Sequence, residues 1–234
     1  MRYQPGMDDL FSERAVEGKT LSRADVEGLS GASHRLVDCD FEEADLSGLD
    51  LTGWVFERCN LRKSDLSGAR LSESVWKSCR GAFANFTGAD ASEARFVSSD
   101  FNNASFRRTV LTSAAFAGSK LTGADFTDAR ALDLRFEESL LINAKLVGFS
   151  FLKQAVSKVD FSQADLRKCD FRHTILDDCS LRDANVAGSR FEGADLRNAD
   201  LGGLRLVDAG LFRGATISRN QAGQLLGELG LNVR

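Results

Sequence analysis

The chain has 234 residues, a single proline at Pro5, and 30 basic against 34 acidic side chains for a net charge of −4. That balance excludes the basic surplus of a nucleic-acid binder, and no apolar run approaches the ~18 residues a membrane span needs. His34 and His173 stand far apart, and no phosphate loop, dinucleotide fingerprint or zinc spacing is present, so we expect no enzyme, no cofactor and no metal.

Residues 1–20 read as an N-terminal lead-in or cap, acidic from Asp8 and without the basic-then-apolar build of a signal peptide. The expected compartment is the cytoplasm. From Leu21 to Leu211 every fifth residue belongs to one series of 39 positions, and all but Gly31, Gly81, Ala91 and Ala131 are Leu, Phe, Val or Trp. Two residues before each of these, small side chains dominate, as in Ala44, Cys59, Ala84 and Ala164. Between the two an Asp or Asn recurs, as in Ala44-Asp45-Leu46 and Ala164-Asp165-Leu166. A period of five fits neither the 3.6 of a helix nor the 2.0 of a strand. It describes a backbone that turns a corner every five residues.

In this pattern the sequence resembles a pentapeptide-repeat protein over residues 21–216. The resemblance implies an all-β fold, a right-handed quadrilateral β-helix. Four pentapeptides would make one 20-residue coil with the large and small residues pointing inward. Stacked coils bury a core that none could bury alone, and a ladder spacing of ~4.8 Å per coil predicts a rod of roughly 45 Å.

Sorting the large residues by 20 assigns them to four sides. One side carries Gly31, Leu51, Leu71, Ala91, Leu111, Ala131, Phe151, Phe171, Phe191 and Leu211, and so three of the four weak positions. The next carries Leu36, Phe56, Trp76, Phe96, Phe116 and Phe136, an expected aromatic ladder. Oversized residues at the small position, among them Leu49, Phe149, His34, Trp54, Leu134 and Gln154, mark the shared edge as irregular near 29–34, 49–54 and 149–159. Two readings stay open: compensation of volume, or a bulge or extruded loop used in binding.

Cys39, Cys59, Cys79, Cys169 and Cys179 all fall at the small position and are expected as buried free thiols rather than metal ligands. Asp before the large residue suits a corner where its carboxylate bonds nearby backbone. Gly28, Gly48, Gly68, Gly88, Gly148 and Gly188 share one corner, where positive φ is expected. Acidity concentrates toward the N-terminus, with Asp38, Asp40, Glu42, Glu43 and Asp45 as its densest patch. A weaker acidic line runs through Glu57, Glu137, Glu138, Asp177 and Asp178. The bases are dispersed and Phe83 is the lone outward aromatic, so direct nucleic-acid binding is not expected.

Residues 217–234 break the repeat and read as a C-terminal helix, cap and dimerisation segment. Ser218 or Asn220 would cap its start, Ala222, Leu225, Leu226 and Leu229 form an apolar face, and Gly230 stops it. An open solenoid end exposes both core and ladder, so this segment folds back as a cap, pairs with a second copy, or does both. Leu225, Leu226, Leu229, Leu231 and Val233 are the candidate cap and dimer residues.

The tail from Gln221 to Leu231, with the segments 151–156 and 160–166, is similar to the Qnr-type quinolone-resistance proteins and related self-immunity proteins. That resemblance implies a homodimer joined at its C-terminal ends that mimics DNA. It implies binding to bacterial DNA gyrase or topoisomerase IV and protection of the enzyme from poisons such as quinolones or peptide antibiotics. The acidic patch 38–45 would supply the contacts. The alternative is a structural or scaffold repeat protein whose partner is not a topoisomerase, because one fold serves many roles.

Overall fold

The computed structural model describes residues 15–29, 33–204, 210–228 and 230–233. One side of the solenoid is a nine-stranded, all-parallel sheet in sequence order. Its strands are β1 (Ala15–Glu17), β2 (Arg35–Val37), β3 (Val55–Glu57), β4 (Val75–Lys77), β5 (Arg95–Val97), β6 (Ala115–Ala117), β7 (Arg135–Glu137), β8 (Ala155–Ser157) and β9 (Ile175–Asp177). Partners differ by 20 residues, as in Phe56 beside Trp76. Single bridges repeat that offset on the other three sides, as in Asp40 with Asn60, Asp45 with Asp65 and Asp50 with Arg70. The expected square coil is therefore the observed one.

The corners follow from local chemistry. The carboxylate of Asp45 accepts the Ser47 N–H at 2.9 Å, and Asp65 accepts that of Ser67 at 2.9 Å. The residue after this pair turns through positive φ, whether Gly48 at 66° or Lys63 at 56°. Stacking over-determines this conformation, so non-glycine residues hold it. Large and small series residues from Phe41 to Leu204 line the core.

Aromatic rings stack along the axis. Phe56 and Trp76 lie 4.0 Å apart at 2°, and the column continues through Phe96 and Phe116 to Phe136. A second column, Phe151, Phe171 and Phe191, stands on the neighbouring side with centroids 4.7 and 4.8 Å apart. Cysteine and serine at one inner corner stitch successive coils: Cys59, Cys79, Ser99, Ser119 and Ser139 each donate to a carbonyl 23 residues back.

Three features depart from the periodic expectation. The ladder begins before Leu21, since β1 pairs with β2 in register. The first coil then replaces one side with a helix, α1 (Arg23–Gly28), although residues 21–28 keep the five-residue spacing. Ser22 and Asp25 form a reciprocal capping box there, a signal that overrides the corner geometry, and Val26 still plugs the core. Gly28 ends this helix and is not a positive-φ corner.

The third departure lies at the far end. Phe191 N–H bonds the Leu211 carbonyl and Leu196 N–H that of Thr216, one residue later than the rule. Phe212, not Leu211, therefore takes the large position and stacks on Phe191 at 4.5 Å. One extra residue has entered between Leu204 and Phe212. The slip is favourable because it extends an aromatic column where Leu211 would have ended it.

Candidate functional site

The sequence-selected acidic patch is brought together at the N-terminal end, but each carboxylate there has partners. Asp38 receives Arg58 at 2.8 Å, Glu43 receives Lys63 at 2.8 Å, and Glu42 lies 4.0 Å from Arg62. Asp45 meets Arg23 at 3.3 Å, while Asp40 accepts the Glu42 N–H and the Asn60 amide. The Arg58 guanidinium holds Asp38 below the usual carboxylate range, and the Lys63 ammonium does the same for Glu43. Arg58, Arg62 and Lys63 sit 20 residues later, directly on the next coil, while Arg23 comes from the coil before. The patch is thus a lattice of exposed ion pairs with little net field.

A second acidic strip emerges only on stacking. Asp45, Asp50, Asp65, Glu73, Asp90 and Glu93 share two adjacent sides of three successive coils. Across residues 45–53, 65–73 and 85–93 the one base is Arg70, and it is bound to Asp50, whose carboxyl it holds at about 2. Asp65, Glu73, Asp90 and Glu93 have no base within ion-pair reach among the described residues. Glu73 and Glu93 are exposed at the corner. The signal that could have found this strip is a charge count taken every 20 residues instead of along the chain.

The other acidic line divides. Glu57 is buried between Arg35 and Arg58, and Glu138 pairs with Lys158 at 2.8 Å. Glu137 and Asp177 line a surface groove of about 720 Å³ with Arg135, Lys153 and Ile175.

The five thiols are buried and unpaired by disulfide, and burial pushes Cys169 up to about 12 and Cys179 to about 11. They pack as small side chains. No group of metal-binding residues and no helix long and apolar enough to cross a membrane occurs among the described residues.

At the C-terminal end, α2 (Arg219–Glu228) starts on a second capping box, where Ser218 Oγ accepts the Gln221 N–H and Gln221 Oε1 accepts the Ser218 N–H at 2.6 Å. The buried Gln221 amide donates to the carbonyls of Leu196 and Ala199, both at 2.6 Å. Leu225 packs against the core, and Glu228 accepts the Gly203 N–H. Gly230 at φ 80° ends the helix, and Leu231 N–H bonds the Leu226 carbonyl at 3.1 Å. Leu226, Leu231 and Val233 are left exposed, and Leu229 lies outside the described residues.

Among solved structures, full-length QnrB1, a plasmid-mediated fluoroquinolone resistance protein, matches at 21% identity and a TM-score of 0.56, covering 93% of this chain and 97% of that one. A trypsin-treated form of QnrB1 matches at 21% identity and TM-score 0.56, covering 94% and 98%. Another trypsin-treated form gives 24% identity and TM-score 0.53, covering 94% and 99%. At this identity the likeness is one of fold. No curated protein matches the chain by sequence. The family model described as pentapeptide repeats matches within residues 39–128 and 135–209, more than two thirds of the chain. The 20-residue coil with its inward large and small columns agrees with that match, and this chain belongs to the pentapeptide-repeat family.

Proposed function

We propose that this chain is a DNA-mimicking protein that binds bacterial type II topoisomerase, DNA gyrase or topoisomerase IV, in the cytoplasm. By occupying the DNA-binding surface it protects the enzyme from poisons such as quinolones or peptide antibiotics. The observation that carries this reading is the strip of carboxylates on stacked coils, where Asp65, Glu73, Asp90 and Glu93 make no ion pair among the described residues. Duplex DNA presents regular rows of phosphates, and a surface built to receive them attracts a rigid row of carboxylates on the same grounds. The patch Asp38, Asp40, Glu42, Glu43 and Asp45 joins this contact as a flanking rim, its ion pairs opening where enzyme bases compete for them. The tail resemblance to the Qnr type supports the choice of enzyme.

We place the homodimer contact at the exposed Leu226, Leu231 and Val233 beyond α2, with Leu229 as their neighbour in sequence. Two copies joined there would double the length of the rod. The protein acts by binding and not as a catalyst.

A supercoiling assay with purified gyrase, with and without a cleavage-trapping quinolone, tests the proposal. Dose-dependent rescue or inhibition supports it. No effect on gyrase or topoisomerase IV would favour a scaffold with another protein partner, a reading suggested by the extensive ion pairing of the rest of the surface.

A further inference from the structure

One junction in the solenoid is unlike its neighbours. Between residues 127–136 and the coil above them, the N–H groups of Asp128, Ala131, Asp133, Ser150 and Ala155 make none of the ladder bonds their counterparts make. One coil earlier Arg108, Leu111 and Ser113 all bond upward, and one coil later so do Gly148, Phe151 and Lys153. Strand β7 keeps a single register pair with β8, Glu137 with Ser157, where most neighbouring strands keep three. The freed Leu134 carbonyl is met only by the Gln154 side-chain amide at 3.4 Å.

The core changes its packing at the same level. The aromatic column on the strand side ends at Phe136, and the other column begins at Phe151, the two rings tilted by 42° at 6.5 Å. Ala131 leaves the large position nearly empty, while Leu134 and Phe149 crowd the small ones. Overfilled corners around an underfilled side hold the two backbones apart. The inner stitch is also missing, because Val159 stands where Ser139 and Cys179 each donate to the coil below. Leu132 and Leu152 lie exposed on the opened side.

The rest of the junction is closed. Leu121, Gly123 and Phe126 bond upward, Lys145 N–H bonds the Ala124 carbonyl, and Glu138 N–H reaches Ser157. A stack bonded along some sides and open along another has one soft bending direction. We propose that the solenoid carries a hinge here, at which the stack of residues 33–139 swings against that of residues 140–204 about the bonded edge. Stacked rings on either side keep each part stiff, so curvature is concentrated at the fault. The surface of a binding rod could thereby adjust its curvature to a partner without breaking any intact ladder bond. This inference does not depend on which partner the rod binds.

Hydrogen exchange by mass spectrometry on the full chain, together with spin-label distances, tests it. Segments 128–135 and 149–155 should exchange at least about tenfold faster than 108–115 and 169–175, since local opening needs fewer bonds broken. Equal protection would overturn the proposal. Labels at Glu73→Cys and Glu192→Cys, which the buried native thiols leave selectively reactive, should give a broad distance distribution. A variant restored to the repeat pattern, Ala131→Leu with Leu134→Ala, Phe149→Ala and Gln154→Ser, should narrow it and slow the exchange. If that variant does not fold, the segment comparison and the distance distribution of the native chain together still decide. Fast exchange with an equally narrow distribution in both proteins would show local fraying without a swing, and the hinge would be discarded.

Discussion

The side-chain amide of Gln221 donates to the Ala199 carbonyl at 2.6 Å, in the place where a further coil would have put a backbone N–H. The same amide reaches the Leu196 carbonyl, so one residue satisfies two acceptors of the solenoid's open end. The Leu196 carbonyl also accepts the Ala199 N–H at 2.9 Å, whereas the Ala199 carbonyl would otherwise be buried beneath α2 without a donor. Gln221→Leu is expected to lower stability by about 2–3 kcal/mol, because an unsatisfied buried acceptor keeps its full desolvation cost. Urea denaturation followed by circular dichroism measures it, and a change within error would mean that water enters the cap.

Gly81 is a weak member of the large series for a reason found on the next coil. A Cβ there would clash with the Phe101 ring at Cε1 and Cδ1. That ring cannot retreat, as it is fully buried against Phe86 and Phe96. Gly81→Ala should cost about 1–3 kcal/mol by overpacking, despite the better backbone propensity of alanine. An unchanged denaturation midpoint would show the column to be more compliant than its geometry implies.

Charge reversal separates the two acidic surfaces. Glu73→Lys with Glu93→Lys should reduce protection of gyrase strongly, because no base lies within ion-pair reach of either carboxylate among the described residues. Glu42→Lys with Glu43→Lys should have a smaller effect, since Lys63 and Arg62 already offset them. Both effects should shrink with added salt, as screening over ~8 Å at physiological ionic strength requires. Phe116→Ala is the control: it should lower stability by about 3–5 kcal/mol without altering surface charge. Equal loss from both charge pairs would make the contact one of shape.

The proposed dimer is tested by Leu226→Glu with Leu231→Glu. These side chains are exposed, so the variant should stay folded while light scattering reports a monomer. A persistent dimer would place the interface on another surface.

Acid should loosen the rod in a defined window. Burial alone would raise Asp125, but hydrogen bonds from Thr127, Lys145 and Arg107 overcome it and hold the carboxyl at about 2. Asp50 is held at about 2 by Arg70 and Thr52. A carboxyl whose folded pKa is depressed stabilises above its unfolded value near 4, and that contribution is lost as pH falls from about 4 to about 2. The urea midpoint should therefore drop across this interval. Asp125→Asn should flatten the drop and cost about 1–2 kcal/mol at neutral pH. An unaltered slope would assign the acid sensitivity to other groups.

Which side chains point inward follows from the order of residues alone. A five-residue period with a large and a small position leaves one way to bury both, so the columns from Phe41 to Leu204, the Asp-stabilised corners and the buried thiols are legible residue by residue. Ser218 and Gly230 likewise mark the terminal helix in the sequence, because capping is local chemistry, whereas the part of Gln221 in the capping box is visible only in the structure.

What happens between coils is set by how they stack. Neighbours there are 20 residues apart, so the ion pairs that neutralise residues 38–45 and the strip shared by Asp65, Glu73, Asp90 and Glu93 have no local signature. The capping box that turns residues 23–28 into a helix competes with a spacing that still looks intact. Leu211 keeps the count of five, yet Phe212 takes its place because stacking on Phe191 is a contact with the preceding coil. The opened ladder beside Ala131 arises in the same way. Periodicity fixes the direction of each side chain, whereas the volume it must share is set by the coils above and below.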